Sequence, residues 1–186
     1  MDDIIDPTEA LYQLPWDSYQ KINAIDSSGL NKTEKLLWLV QKANAEELLY
    51  FYDELEQTVN FALSLSNELT PPKIASQLNL FQGYIYSHKN EYGQAIDALQ
   101  RADAIAIKHG FTRLSIKIKE QVAYVRSLTE LYTASLTALQ QAYVKAFSMD
   151  DHLLIADINN SYGAIYGYMG EYAKSIEYHQ KALDTY

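Results

Sequence analysis

Positions 43, 83, 123 and 163 hold Ala, Gly, Ala and Gly. The same step of 40 links Tyr52, Tyr92, Tyr132 and Tyr172. It also links Leu55, Ala95, Ser135 and Ser175, then Val59, Leu99, Leu139 and His179, and finally Ala62, Ala102, Ala142 and Ala182. Five columns thus hold small, aromatic, small, mostly large and small residues in one register. Such self-similarity is the mark of a repeat architecture. One unit of this size cannot bury its apolar face alone, so neighbours must stack into a shared core.

Each unit reads as two helices. In the second unit Gly83 and Tyr86, then Ala95, Leu99 and Ala102, recur at three- and four-residue steps, the spacing of one helical face. Between them "HKNEYG" (His88 to Gly93) supplies a turn, as "MGEY" (Met169 to Tyr172) does in the fourth unit. Breakers separate the units: "TPPK" (Thr70 to Lys73), "KHGF" (Lys108 to Phe111) and "MDDH" (Met149 to His152). Paired prolines cannot continue a helix, and Gly110 suits a left-handed helix end. A small residue at 43, 83, 123 and 163 is expected to let the partner helix of the same hairpin come close. The alanines at 62, 102, 142 and 182 do the same for the next hairpin. The tyrosine column is expected to begin each second helix and wedge the angle between helices. The resulting expectation is an all-α, right-handed α-solenoid of about four units, near residues 36–75, 76–115, 116–155 and 156–186.

Residues 1–30 fall outside that register. "PWDSYQKINAI" (Pro15 to Ile25) reads as a short helix with Trp16, Tyr19 and Ile22 on one side, a cap or the remnant of an earlier unit. The array proper occupies 31–186. It stops at Tyr186 without a polar closing helix, and solenoids need a solvating cap. A piece of a longer protein is therefore expected.

"NNSYGAIYGYMGEYAKSIEYHQKAL" (Asn159 to Leu183) resembles the tetratricopeptide repeat family, with Gly163 and Tyr166 in the first helix, "GEY" at the turn, then Ser175 and Ala182. The second unit is nearly as good. The third carries Arg126 where the aromatic belongs, and the first lacks the turn glycine. The step of 40 exceeds the usual length of about 34. Longer repeats of this kind, with "DPTEALYQLPWDSYQKINAID" before them, look like the sensory repeat region of bacterial membrane-bound diguanylate cyclases, which precedes a membrane helix and a GGDEF domain. The resemblance implies a non-catalytic module that binds a protein or peptide, with self-association as a further mode. It implies a periplasmic location in a sensory protein and a cytoplasmic one otherwise. A stand-alone adaptor and a peptide-sensing module of a regulator are the alternatives.

Composition narrows the partner classes. The net charge of -9, from 24 acids against 15 bases, argues against nucleic acid and against an anionic membrane surface. With 48% hydrophobic residues the chain can build a core, and with no cysteine it has neither disulfide nor thiolate ligand. The start "MDDIIDPTEA" is acidic where a signal peptide is basic, and the apolar runs Leu36–Val40 and Leu48–Tyr52 are far shorter than the roughly 20 residues that span a bilayer.

Chemistry-bearing motifs are missing: no phosphate-binding glycine loop, no HExxH and no GxSxG occurs. No enzyme activity, cofactor or metal is expected. His152 beside Asp150 and Asp151 reads as an acidic helix start, and His179 as a packing residue in a large-residue column. Glu46 and Glu47 read as a solvated helix face. The sequons at Asn31 and Asn159 are discounted, the second lying inside an expected helix.

What remains is the inner surface, which in the family is lined by the first helix of each unit. By register it comprises Asn44 and Glu47, then Gln77, Leu80, Tyr84, Ser87 and His88, then Lys117, Glu120, Tyr124 and Ser127, then Asp157, Asn160 and Tyr168. Of these, Asn44, Gln77, Tyr84, His88, Lys117, Glu120, Tyr124, Asn160 and Tyr168 are the candidate ligand contacts. Tyrosine offers a large contact area at low entropy cost, which suits peptide recognition. The clamp that grips a C-terminal carboxylate in chaperone-binding members is not expected, because Val40, Leu80 and Phe81 occupy its polar or basic places.

Overall fold

A helix ends where its last carbonyls find other donors, and this chain ends helix after helix in the same way. The computed structural model describes residues 14–185. Residues 1–13 of the expected cap and Tyr186 of the fourth unit lie outside the described residues. Within them the chain is all-α. A short α1 (Pro15–Asn23) and a 3-10 turn (Ser27–Gly29) precede α2 (Lys32–Leu48) and α3 (Tyr52–Leu65). There follow α4 (Pro72–His88), α5 (Tyr92–Lys108), α6 (Thr112–Ser127), α7 (Tyr132–Ser148), α8 (His152–Tyr168) and α9 (Tyr172–Thr185). The four column tyrosines are the first residues of α3, α5, α7 and α9.

The turns inside the hairpins share one construction. Tyr50, Asn90, Glu130 and Gly170 have positive φ of 59°, 61°, 62° and 77°. The next N–H in each case reaches back five residues: Phe51 to Glu46 O, Glu91 to Tyr86 O, Leu131 to Arg126 O and Glu171 to Tyr166 O, at 2.8 to 3.1 Å. This is a Schellman closure, which satisfies carbonyls orphaned at the helix end. Gly110 and Asp150, at φ of 71° and 53°, close α5 and α7 likewise. The left-handed residue of the second turn is thus Asn90, while Gly93 lies inside α5.

At α2 the start is fixed by a capping box: Asn31 Oδ1 accepts from the Thr33 and Glu34 amides, and the Glu34 carboxylate accepts from Asn31 N. Asp151 caps α8 through the Leu154 amide and holds Arg113 Nε at 2.9 Å, tying α6 to the following hairpin.

Consecutive helices pack against each other, and α2–α4, α4–α6 and α6–α8 also touch. The first helices of the hairpins therefore form a continuous layer, with α3, α5, α7 and α9 on its other side. Two buried clusters fill the space between: one runs from Leu36 to Val125, the other from Ile116 to Ile165, both drawing on α6. Ala62, Ala102, Ala142 and Ala182 are all buried. Trp16 and Tyr19 of α1 pack on Phe51, and Trp38 Nε1 donates to Ile22 O at 2.9 Å, so α1 is tied to the front of the array.

One expectation is corrected here. Glu46 is 0% exposed, facing α3, where Thr58 Oγ1 donates to its Oε1 at 3.1 Å. A glutamate one turn from the helix end was legible only as solvated. Thr58, in the second turn of α3, lies over it. Glu47 is half-buried and lies about 100° around α2 from Glu46.

Candidate functional site

The layer of first helices leaves a cleft of about 640 Å³. Each of those helices contributes: Glu47 from α2, Tyr84 from α4, Lys117, Glu120 and Gln121 from α6, and Asp157 and Asn160 from α8. Pro15 and Thr185, near the two ends of the described chain, also line it. A second cavity of about 230 Å³ adjoins, lined by Tyr52, Tyr84, Ser87, His88, Tyr92 and Tyr124 among others. Tyr84 and Gln121 belong to both, so the two form one furrow with a carboxylate end and a tyrosine end.

The carboxylate end is electrostatically unbalanced. Three acids, Glu47, Glu120 and Asp157, face one ammonium, Lys117, all within range of one another. Burial, with the charge of Asp157 added, pushes the Glu120 carboxyl up to about 7, against the pull of a hydrogen bond from Ser161 Oγ and of Lys117. Burial raises Glu47 as well, with Lys117 opposing and Asp157 adding to the rise. A carboxyl pushed toward neutrality in a cleft is a candidate for a functional position.

At the tyrosine end the phenols converge. Tyr52 stacks on His88 with ring centres 4.1 Å apart and 14° between planes. Burial, and after it the charge of Glu47, pushes the Tyr52 hydroxyl up to about 12. Tyr124 is raised further by burial and by its hydroxyl contact of 3.3 Å with Tyr168. These phenols stay protonated at any physiological pH and serve as hydrogen-bond donors and flat apolar surfaces.

The nine candidate contacts divide plainly. Tyr84, Lys117, Glu120 and Asn160 line the larger cavity, and Tyr84, His88 and Tyr124 the smaller. Tyr168 stands at the edge, joined to Tyr124. Asn44 turns its amide back to Val40 O at 3.0 Å, and Gln77 lines neither cavity. Leu80 and Ser127, also carried by the register, are buried in the packing instead. The register did not pick out Gln121, one residue past Glu120, nor Tyr50, His152 and Thr185. Tyr50 and His152 sit at helix ends whose direction depends on the turn, and Thr185 belongs to a second helix.

His152 Nε2 lies 3.5 Å from Asp150 Oδ1. Among the described residues no group of three His, Asp or Glu side chains is arranged to hold a metal ion. No described helix is long and apolar enough to cross a membrane. Val40, Leu80 and Phe81 are each at most 3% exposed, so they offer nothing to a carboxylate clamp. No family model matches the chain, and no curated protein matches it.

Proposed function

We propose that the chain is a non-catalytic, tetratricopeptide-like binding module. In this reading its four hairpins are successive 40-residue units of a right-handed solenoid, and its ligand is an extended peptide carrying a cationic side chain. The observation that carries the reading is the furrow itself: all four first helices contribute to it, and three carboxylates there face one lysine next to a row of tyrosines. A lysine or arginine of the ligand would meet Glu47, Glu120 and Asp157, while flanking apolar or aromatic residues would lie on Tyr84, Tyr124 and Tyr52. The sensory resemblance extends the proposal: the module is the ligand-sensing region of a bacterial signalling protein of the diguanylate cyclase type.

The experiment is a binding screen of the folded chain against two random peptide pools, one with a fixed central lysine and one with a fixed central glutamate. The lysine pool is expected to yield saturable binders whose affinity is lost in Tyr84→Ala and Tyr124→Ala with helicity intact. Binders that prefer the glutamate pool, or that ignore both substitutions, overturn the reading. Fractionation of the native gene product tests the extension: a membrane-bound protein much larger than 21.2 kDa is expected, and a soluble one near that mass overturns it.

A further inference from the structure

The tyrosine end of the furrow holds a polar group that the fold itself does not use. Ser87 lines the smaller cavity and is only 7% exposed, yet its hydroxyl has no hydrogen-bond partner among the described residues. One unit on, at the same place in the register, Ser127 turns back and donates to Tyr124 O at 2.6 Å. A buried hydroxyl left unpaired costs free energy that a ligand atom can recover. Asn90 lines the same cavity. Its backbone N–H donates to Ser87 O at 3.0 Å, and with φ of 61° it closes α4 beside that serine. Its Oδ1 accepts from the Tyr92 hydroxyl at 2.8 Å, so the side-chain N–H pair is what the amide has left to offer.

The walls around these two groups select a shape and a charge. The stack of Tyr52 on His88 forms one flat wall, and Tyr84 and Tyr124 add rings from α4 and α6. Among the described residues no Asp, Glu, Lys or Arg lines this cavity, in contrast to the larger one. A charged group would lose its water there without gaining a counter-charge. A space of about 230 Å³ suits one substituted ring, since roughly 150 Å³ holds benzene. A plain phenyl ring would leave Ser87 unpaired. A phenol meets both conditions, with flat faces for the rings and an oxygen that both accepts and donates.

We propose that the smaller cavity is a specificity pocket for a tyrosine side chain of the ligand, whose hydroxyl bonds to Ser87 and Asn90. On the peptide reading of the furrow, on which this assignment rests, the ligand then has two anchors. Its cation lies at the carboxylate end and its tyrosine in the smaller cavity, with Tyr84 and Gln121 lining the step between. Phenylalanine in place of that tyrosine loses about tenfold in affinity, the worth of one neutral hydrogen bond.

p-Cresol and toluene test the pocket without any peptide. In an NMR titration of the full chain, p-cresol is expected to shift the amide signals of Ser87 and Asn90 saturably. Toluene is expected to bind about tenfold more weakly, and Ser87→Ala to bring the two affinities together. Equal affinities in the parent chain, or a difference that Ser87→Ala leaves intact, overturn the proposal whether or not peptides bind. Peptides with a fixed lysine and either tyrosine or phenylalanine at each other position then locate the phenol in the ligand. At one position tyrosine is expected to win by about tenfold in the parent and not in Ser87→Ala. Lysine peptides that bind with no such preference overturn the tyrosine pocket and leave the peptide reading standing. A preference for p-cresol with no binding of lysine peptides overturns the peptide reading, and with it the assignment of the phenol to a peptide.

Discussion

Gly83 and Leu99 touch so closely that a methyl group on Gly83 would lie 2.6 Å from Leu99 Cδ2 and 2.7 Å from its Cγ. The same relation recurs 80 residues on, where a Cβ on Gly163 would meet the His179 ring at 2.7 Å. The two hairpins built on these glycines, α4–α5 and α8–α9, pack more extensively than α2–α3 and α6–α7, which have Ala43 and Ala123 at the matching position. One missing methyl thus sets how near the second helix can come.

Gly83→Ala is expected to destabilise the chain by about 2 kcal/mol, because overpacking at a rigid contact outweighs the gain in helix propensity from alanine. The obstacle is the branched part of Leu99, which cannot simply swing away. Urea denaturation checks it, and the double variant Gly83→Ala with Leu99→Val should recover part of the loss. A stabilised single variant would show that the hairpin opens freely.

The small-residue columns were legible in the sequence because their cause is local and repeated: each records one helix pressing on its neighbour. So were the helix starts at the tyrosines. Less was legible where the same backbone is made by dissimilar residues. Tyr50, Asn90, Glu130 and Gly170 share one left-handed turn, and only the last advertises it. Glu46 and Glu47 are adjacent and chemically identical, yet one enters the hairpin and the other the furrow. That distinction depends on how α2 packs on α3 and on the side chains of α6 and α8 across the furrow, the latter far from it in sequence.

Glu130 follows from that comparison. A side chain at φ of 62° carries a steric cost that glycine avoids, and Glu130 is exposed, without a packing role to lose. Glu130→Gly is expected to raise stability by about 0.5 to 1 kcal/mol after the entropy of glycine in the unfolded chain is set against it. Gly170→Glu should lower stability by a similar amount. Thermal melts of the two variants should move in opposite directions, and a common direction would contradict the account.

Glu46 makes the stability of the chain fall as pH rises above 4.5. Burial lifts its carboxyl above the ordinary value of 4.5, outweighing the hydrogen bond from Thr58 and the attraction of Lys42, whose ammonium is 3.7 Å away. Its Oε2 has no partner. A carboxyl raised on folding contributes stability that is present below pH 4.5 and is lost as pH rises through its folded value. Glu46→Gln keeps an acceptor for Thr58 and cannot ionise. The variant is therefore expected to gain on the parent in stability as pH rises from 4.5 to 8. Denaturation at the two pH values decides it, and an equal difference at both would assign the effect to packing.

Glu120 couples the same physics to binding. Its carboxyl, pushed up to about 7 by burial and by Asp157, is partly protonated at neutral pH in the empty furrow. A cationic side chain arriving beside it would favour the ionised form and draw the value down, so binding must release a proton. Affinity for a lysine-bearing peptide is therefore expected to rise as pH goes from about 6 to about 8 and then level off. Glu120→Gln should flatten that dependence and weaken binding at pH 8 by about 2 kcal/mol, the loss of one charge-assisted hydrogen bond. Titration calorimetry in two buffers of different ionisation enthalpy counts the released proton directly. An affinity that does not change with pH in the parent chain would separate Glu120 from the ligand, whatever the tyrosine variants show.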